Sequence, residues 1–330
     1  MTALLQVQDL DVAYVSRAGA TAWALVDINI EVRSGETLGI LGESGSGKST
    51  LAAALLNLLP AKGSIRRGEI LVEGEDVLRL GPVQLQKLRG GRISLIFQEP
   101  SAALHPTMRI GDQIGEVLRA HESLHGSARR ARVWEVLAEV FSSDIERIAR
   151  SYPHELSGGQ RQRALIAQAI ASRPKLVVAD EPTASLDPTT QREILALFKT
   201  LREKLGIAII FITHNPGLLA GFADRVLVVY AGRVVEWGPA DEVLFSPRHP
   251  YTKALLRCVP AFDEACTTSS KSQLHGIEGV SPHSASLAET CAFAPRCADR
   301  MDVCQTRQPA GASLSEVHRV FCFKFSTDGS

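Results

Sequence analysis

The stretch GESGSGKST, from Gly42 to Thr50, is the most informative part of this 330-residue chain. It fits the pattern G-x-x-x-x-G-K-[ST] and lies between a predicted strand over Glu36–Leu41 and a predicted helix over Thr50–Leu59. A glycine-rich backbone can wrap closely around phosphates, with its N–H groups and the helix N-terminus directed at the anion. A glycine-rich turn with a surface lysine would not explain this strand and helix. The residues predicted to contact a nucleotide here are Gly42, Ser44, Gly45, Gly47, Lys48, Ser49 and Thr50.

Two of these side chains have specific predicted roles. Lys48 can reach the β- and γ-phosphates of a nucleotide, and the Ser49 hydroxyl can bind the accompanying Mg²⁺.

Short strands and helices alternate along the rest of the chain, which is typical of an α/β protein with a mainly parallel sheet. Strands over Leu5–Val15 and Ala24–Val32 precede the first helix and are predicted to form an antiparallel addition. The stretch from Thr107 to about Ser172 is rich in helix, and helical sequence continues over Thr190–Lys204. Further strands are predicted over Arg92–Gln98, Lys175–Asp180 and Ile207–Thr213, with a hairpin over Arg225–Trp237.

Polar side chains follow several of these strands. The apolar run LVVA leads into Asp180 and Glu181, and neighbouring strand residues point to opposite faces, so the two acids can take different roles. Asp180 is predicted to hold Mg²⁺ and Glu181 to polarise the attacking water as general base. A solvated strand end would explain such a pair in isolation, but not after a phosphate-binding loop. At the same sheet edge, His214 is predicted to contact the γ-phosphate and water, and Gln98 to contact Mg²⁺ or water.

A second anion-binding helix end is predicted at LSGGQ, residues 156–160. Ser157 is a good N-cap, and Gly158 and Gly159 expose backbone N–H groups at the positive end of the helix Arg161–Ala171. A plain capping turn would explain the serine but not the paired glycines. One chain therefore carries two candidate phosphate-binding helix ends. The predicted contact residues at this second end are Ser157, Gly158, Gly159 and Gln160.

The composition excludes several classes of protein. Lys and Arg total 36 and Asp and Glu total 36, and there are only three Trp and four Tyr, so a basic, base-stacking nucleic-acid surface is not expected. No apolar run approaches the ~20 residues of a membrane span. The N-terminus has no signal-peptide pattern, so we expect the chain to stay in the cytoplasm.

All six cysteines lie at or beyond Cys258. In a chain without signs of secretion, such a group more often marks a metal or cluster site than a disulfide framework. Near Ala261 the sequence also loses helical periodicity and runs through Thr267–Ser270, so a domain boundary is predicted there. The predicted organisation is one domain over residues 1–260, with a helical subdomain over about 101–172, and a C-terminal extension over 261–330.

The order of these motifs resembles that of an ABC-transporter ATPase, over about residues 4–260. The resemblance implies a P-loop NTPase fold of ABC type, with a mixed sheet core, an antiparallel β subdomain and a helical signature subdomain. It also implies a dimer that clamps each ATP between one chain's P-loop and the partner's signature helix, with Tyr14 stacked on adenine. The matching elements are Walker A (42–50), the Q-loop (Gln98), the signature (156–160), Walker B (175–181), the D-loop (Ser185-Leu186-Asp187) and the switch histidine (His214).

Other segments resemble the oligopeptide, dipeptide and nickel importers of this family. They are residues 98–101 with 103–106, Tyr152-Pro153-His154-Glu155 and His249-Pro250-Tyr251-Thr252. Two positions depart from the group's pattern, because its usual Leu-Asn-Pro reads Leu104-His105-Pro106 and the switch histidine is followed by Asn215. The histidine itself is kept, so the second departure is expected to matter little.

The cysteines Cys291, Cys297, Cys304 and Cys322 resemble the C-terminal cysteines of the same group. Their spacing lacks the short C-x₂₋₄-C pair that zinc prefers, and four thiolates can also hold an iron–sulfur cluster. The resemblance favours a [4Fe–4S] cluster over zinc, with unliganded thiols or a redox-labile pair as further alternatives. Cys258 and Cys266 lie outside the pattern, and Cys258 is expected to pack on a helix.

Together the motifs and the resemblance predict an ATP-hydrolysing subunit of a membrane importer for peptides or related solutes such as nickel. Its expected partners are a second ABC ATPase subunit, two membrane permeases and an extracytoplasmic solute-binding protein, with the chain at the cytoplasmic face of the membrane. A related but different chain is favoured over a second copy as the other ATPase. The alternative is a soluble ABC ATPase acting on DNA or ribosomes, but such proteins usually carry paired cassettes, a long coiled coil or a basic extension.

Overall fold

The computed structural model describes residues 3–16, 19–259, 276–280, 282 and 290–326. The chain divides into two compact units. The helical unit comprises the described residues of 1–4, 32–36 and 79–211, and the sheet unit comprises those of 5–31, 37–78 and 212–330. The predicted domain boundary near Ala261 and the residue Cys266 lie outside the described residues.

The described residues form the following strands and helices, numbered in chain order. The strands are β1 (Leu5–Val15), β2 (Thr21–Val32), β3 (Thr37–Leu41), β4 (Gly63–Val72), β5 (Glu75–Asp76), β6 (Ile93–Ile96), β7 (Leu176–Asp180), β8 (Ala208–Thr213), β9 (Arg225–Tyr230), β10 (Arg233–Pro239), β11 (Ala312–Ser315) and β12 (His318–Val320). The helices are α1 (Lys48–Leu55), α2 (Pro82–Leu88), α3 (Pro100–Ala103), α4 (Ile110–His121), α5 (Gly126–Val140), α6 (Ile145–Arg150), α7 (Gly158–Ile170), α8 (Pro188–Leu205), α9 (Ala240–Phe245) and α10 (Pro250–Arg257).

The sheet unit contains a four-stranded sheet in the order β2-β1-β4-β5. Strands β1 and β4 are antiparallel, with Leu5 opposite Val72 and Tyr14 opposite Gly63. The predicted strands β1 and β2 are confirmed, and β1 has the predicted bounds. The strand β4 was not predicted, because its sequence GSIRRGEILV lacks a clean apolar alternation.

A second set of strands in the sheet unit has the order β11-β12-β10-β9-β3. Strands β3 and β9 are parallel, with Leu41 opposite Val228. Strands β9 and β10 form the predicted hairpin, closed by Ala231 and Gly232, both with positive φ as a tight hairpin turn requires. Strand β12, from the C-terminal tail, pairs antiparallel with β10 and joins the tail to the sheet.

The helical unit contains β6 and β7 as parallel neighbours, with Ile96 opposite Ala179. All five residues of β7 are buried, which agrees with the apolar run that predicted this strand. Helices α3 to α7 account for most of residues 100–170, and buried side chains such as Leu137 and Ile166 form their core. The predicted helix-rich stretch is therefore confirmed.

The first helix differs from its prediction at both ends. Helix α1 covers Lys48–Leu55 instead of Thr50–Leu59. It begins earlier because Gly47 serves as its N-cap. It ends earlier because Asn57 has a φ of 52°, a left-handed conformation that interrupts an α-helix.

Among the helices of the described residues, none has both the length and the apolar character needed to cross a membrane.

Candidate nucleotide site

The predicted phosphate-binding loop connects β3 to α1 in the sheet unit. A Cβ at Gly42 would lie 2.3 Å from the carbonyl oxygen of Val229, so no side chain fits there. Gly47, the N-cap of α1, has a φ of 105°, and a Cβ there would lie 2.7 Å from the oxygen of Ala24. Both positions require glycine, which brings the loop backbone tightly around a small space. A glycine-rich loop of this kind can direct backbone N–H groups at an anion.

Lys48 lies at the first position of α1 and is 5% exposed. Its Nζ donates to the carbonyl oxygens of Gly42 and Glu43, each at 2.8 Å. The ammonium group is thus held against the loop backbone by the start of the loop itself. Its position fits the predicted contact with the terminal phosphates of a nucleotide.

Ser46 contributes to the loop in a way that the sequence did not predict. Its backbone oxygen accepts from the N–H of Gly232 at 2.9 Å, in the turn between β9 and β10. Its Oγ is buried and has no hydrogen-bond partner among the residues described. A buried hydroxyl without a partner inside a glycine-lined loop fits a site for a polar ligand.

Tyr14 was predicted to stack on adenine. Its hydroxyl lies 3.2 Å from Oγ1 of Thr50, in the first turn of α1. The structure therefore brings Tyr14 together with the phosphate-binding loop, although the two are 36 positions apart in the sequence. Its stacking role stays a prediction.

The acidic residue of the loop, Glu43, has partners from the end of the chain. Its backbone N–H donates to the hydroxyl of Tyr251 at 2.9 Å. Its carboxylate accepts from Arg296 at 2.7 and 3.1 Å. These contacts span 208 and 253 positions, and no periodicity or spacing in the sequence could have indicated them.

In the helical unit, Asp180 ends β7 and Glu181 follows it directly. Asp180 is 9% exposed, and Glu181 has a φ of 46°, which is uncommon for a residue other than glycine. Gln98 follows β6, the parallel neighbour of β7. Carboxyl ends of adjacent parallel strands share one sheet edge, so the structure brings Gln98 and the two acids to the same edge.

The signature residues form the N-terminus of α7. The Ser157 hydroxyl accepts from the Gln160 N–H at 3.2 Å, and the Gln160 side chain accepts from the Ser157 N–H at 3.1 Å. This is a complete capping box, so the predicted N-cap at Ser157 is confirmed. Helix α7 begins at Gly158 instead of Arg161, because the paired glycines take helical positions.

The predicted D-loop residue Asp187 is the N-cap of α8. Its carboxylate accepts from the Thr190 hydroxyl at 2.6 Å and from the N–H groups of Thr189 and Thr190, both at 3.0 Å. The hydrogen bonds from Thr190 hold the pKa of Asp187 below its usual value. Asp187 is therefore ionised at neutral pH and stabilises the first turn of α8.

His214 directly follows β8 and is exposed, in the sheet unit. The side chain of the next residue, Asn215, accepts from the Gly217 N–H at 3.0 Å. Asn215 therefore caps the following turn. An aspartate could fill this local role as well.

The four tail cysteines lie near one another. Each of Cys291, Cys297 and Cys322 has its pKa raised, first by burial and further by the charge of neighbouring cysteines. Cys304 packs with Ala294 and Phe323 in a small apolar cluster. Within the described residues, no group of three or more His, Cys, Asp or Glu side chains is arranged to hold a metal ion. The predicted [4Fe–4S] cluster and the zinc alternative are therefore not supported by the described residues.

Cys258 lies at the end of α10 and its Sγ lies 3.3 Å from the oxygen of Ala254. The expectation that it packs on a helix is confirmed.

Two protein families match parts of the chain. Residues 25–184 match the family described as ABC transporter, which covers the phosphate-binding loop, Gln98, the signature and the acids after β7. Residues 235–304 match the family described as oligopeptide/dipeptide transporter, C-terminal region, which includes three of the four tail cysteines.

Curated relatives match over nearly the full length. The oligopeptide transport ATP-binding protein OppD of Bacillus subtilis is 42% identical over 321 residues, which is 97% of this chain and 88% of the relative. The dipeptide transport ATP-binding protein DppD of the same organism is 40% identical, over 98% of this chain and 95% of the relative. The OppD protein of Salmonella typhimurium is 42% identical, over 97% of this chain and 93% of the relative.

Solved structures match the nucleotide-binding part. The ATP-binding cassette MJ0796, solved as a dimer in a post-hydrolysis state with ADP and Pi, has a TM-score of 0.64 and 29% identity. The match covers 72% of this chain and 98% of that cassette. The geometry of the loop, the capped signature helix and these matches agree in one conclusion: the chain belongs to the ABC transporter ATPases and has the α/β P-loop fold of that family.

Proposed function

We propose that this chain hydrolyses ATP to drive a membrane importer of peptides. The observation that carries the proposal is the match to peptide-transport ATP-binding proteins, which extends over 97% of the chain, through the C-terminal region as well as the ATPase part. A soluble ABC ATPase acting on DNA or ribosomes is disfavoured, because the compared relatives are named as transport proteins. Solutes related to peptides, such as nickel complexes, belong to the same proposal.

The nucleotide is bound by the loop between β3 and α1. The loop N–H groups and Lys48 hold the phosphates, and Tyr14 stacks on the base. Ser49, Gln98 and Asp180 would hold Mg²⁺, which when bound neutralises charge on the phosphates. Carboxylate, amide and hydroxyl oxygens are the ligands that this hard cation prefers.

Hydrolysis in this proposal depends on Glu181 and His214. Glu181 accepts a proton from the attacking water, and His214 orients the water and the terminal phosphate. The left-handed backbone at Glu181 supports this role, because strained conformations of non-glycine residues concentrate at functional sites.

The active assembly contains two ATPase chains. Ser157, Gly158, Gly159 and Gln160 of one chain contact the nucleotide on the loop of the other, through the exposed N-terminus of α7. We favour a related but different chain as the second ATPase. Two membrane permeases, an extracytoplasmic solute-binding protein and a position at the cytoplasmic face of the membrane complete the proposed assembly. Of the four tail cysteines, Cys304 and Cys322 are buried and Cys291 and Cys297 are partly buried. Iron analysis of the anaerobically purified chain measures whether they hold iron.

Purification of the tagged chain from its native membranes in gentle detergent tests the transport part. Mass spectrometry should identify two multi-span permeases and a solute-binding protein, whose bound ligand names the substrate. Recovery of ribosomes or DNA-repair proteins without membrane proteins would overturn the importer and leave an ABC ATPase.

The variant Glu181→Gln tests the catalytic part. MgATP binding should persist while hydrolysis falls by about 100-fold or more, because the amide does not accept the proton. A matched control is Glu193→Gln, on the exposed surface of α8, where the carboxylate pairs with Arg163 at 3.0 Å. Turnover of Glu181→Gln at the control's rate would reject the assigned base.

A further inference from the structure

Arg296, in the short turn between Cys291 and Cys297, contacts the phosphate-binding loop. Its Nη1 donates to Oε2 of Glu43 at 2.7 Å, and its Nη2 donates to Oε1 at 3.1 Å. The Arg296 side chain is 5% exposed and that of Glu43 is 22% exposed. Two parallel hydrogen bonds between a guanidinium and a carboxylate are a strong and directional contact.

The remaining donors of the guanidinium are also used within the sheet unit. Nε donates to the oxygen of Glu278 at 3.0 Å and Nη2 to that of Ile277 at 3.3 Å, while Nη1 lies 3.4 Å from the Tyr230 hydroxyl. The contact to Glu43 raises the pKa of Arg296 further above its usual range. A lysine in this place would keep the charge but not this set of bonds.

The turn that carries Arg296 is itself fixed on aromatic side chains. Phe293 packs edge-on against Tyr230 and Tyr251, with ring centroids 5.2 and 5.4 Å apart. The Tyr251 hydroxyl in turn accepts from the backbone N–H of Glu43 at 2.9 Å. Both the backbone and the side chain of Glu43 are therefore held by residues from the end of the chain.

The negative charge of Glu43 makes its contact with Arg296 relevant to nucleotide binding. Glu43 is the acidic residue in the sequence GESGSGKST, a loop whose ligand is an anion. A carboxylate without a counter-charge at this point would repel the phosphates, and in a partly buried site that repulsion is screened less than at the surface. Arg296 offsets the charge and holds the carboxylate on the side of the tail.

We propose that Arg296 is a positioning residue for the phosphate-binding loop, through which the C-terminal tail sets the affinity of that loop for MgATP. This inference concerns the ATPase itself and does not depend on which solute is imported.

The test measures MgATP binding to the purified full-length chain by calorimetry, and ATPase kinetics on the detergent-purified importer complex that carries the same variant. In Arg296→Ala, the Kd and the KM for MgATP should rise about tenfold while kcat stays within about twofold, because the catalytic groups are untouched. Adding Glu43→Gln to this variant should bring the Kd back to within about threefold of the native value, because the repelling charge is removed. A purely structural role for Arg296 predicts no such rescue.

The control is Lys324→Ala, which removes another ion pair of the tail, with Asp299 at 2.9 Å, and leaves the loop contact intact. Its Kd should equal that of the native chain. An unchanged Kd in Arg296→Ala, or a double variant that binds no better than the single one, would overturn the proposal. If Arg296→Ala does not fold, Arg296→Gln replaces it, because it keeps a hydrogen-bond donor but removes the charge: a raised Kd that Glu43→Gln rescues supports the proposal, and a native Kd rejects it.

Discussion

The N-termini of α1 and α7 are both glycine-flanked, and both were predicted to bind phosphate, but they are built differently. At α7, the Ser157 hydroxyl and the Gln160 side chain satisfy each other's backbone N–H groups within one turn. At α1, the N-cap Gly47 offers no side-chain hydrogen bond. The first turn of α1 thus has no capping side chain from its N-cap residue, while the first N–H groups of α7 are partly satisfied by the helix's own sequence.

The two ends also differ in what holds them in place. The capping box of α7 joins residues three positions apart. The loop before α1 is held by Tyr14, Gly232, Tyr251 and Arg296, which are far away along the chain. A phosphate site that must leave its own donors open takes its support from elsewhere in the fold, whereas a self-capped end needs little outside support.

The largest effect is expected for a substitution in α1 that impairs MgATP binding much more than it impairs folding. Lys48→Ala should weaken MgATP binding by about 100-fold, because the charged donor to the terminal phosphates is removed. Unfolding stability should fall by only about 1–2 kcal/mol, for the lost hydrogen bonds to Gly42 and Glu43. Nucleotide titration and urea unfolding measure the two effects, with the surface variant Lys204→Ala as control. Native-like affinity in Lys48→Ala would mean that α1 is not the phosphate site.

Replacing a glycine with alanine should destabilise the protein more at the N-terminus of α1 than at the N-terminus of α7. Gly47→Ala places a Cβ at a φ of 105° and 2.7 Å from the Ala24 oxygen, so unfolding stability should fall by about 2–3 kcal/mol. At Gly158 the nearest atom to a new Cβ is Leu186 Cδ2 at 3.7 Å, an ordinary contact. Gly158→Ala should therefore stay within about 0.5 kcal/mol of the native stability. If Gly47→Ala and Gly158→Ala lose the same unfolding stability in urea, the proposed difference between the N-termini of α1 and α7 is wrong.

Lowering the pH should destabilise the region of the fold that holds the loop before α1. Burial lowers the pKa of His249 from its usual 6.5 to about 3, and its Nδ1 accepts from the N–H of Tyr251, the residue that holds Glu43. The unfolded chain therefore takes up a proton that the folded chain does not as the pH falls below 6.5, and stability is lost through that window. At pH 5 the loss from this group is about 2 kcal/mol.

Urea unfolding between pH 7.5 and pH 5 measures this slope. His249→Gln, which keeps an acceptor for the Tyr251 N–H, should reduce it, while His154→Gln, at an exposed histidine stacked on Tyr152, should leave it unchanged. A native slope in His249→Gln would show that other groups control the acid sensitivity.

The smallest effect is expected at the self-capped end. Ser157→Ala removes the side-chain acceptor for the Gln160 N–H and should cost about 1 kcal/mol of unfolding stability. Ser157→Asn, which can cap in the same way, should restore most of it. If both variants unfold like the native chain, the capping box does not contribute to the stability of α7.

Local sequence patterns predicted much of this fold. The contacts between residues far apart in the sequence could not be predicted from it. The loop glycines, the N-cap Ser157 and the buried strand before Asp180 are encoded by neighbouring residues, so the sequence reveals them. The partners of Glu43 are not, because hydrogen bonds across 208 and 253 positions leave no periodic trace. The cysteines show the same limit: the family resemblance favoured a cluster, but the packing of Cys304 against Phe323 depends on how the tail folds.

The tail strands β11 and β12 have an effect on solubility. Strand β10 would have one open edge of N–H and C=O groups without β12, and its sequence RVVEWGP has the β-branched and aromatic residues of a strand prone to pairing. Strand β12 pairs with that edge at Glu236 and Trp237, and β11, only four residues long and largely exposed, becomes the new border. So short a border is a poor template for another chain. The C-terminal tail therefore protects the ATPase from edge-to-edge aggregation, and a chain truncated before Ala312 should precipitate at concentrations where the full chain remains in solution.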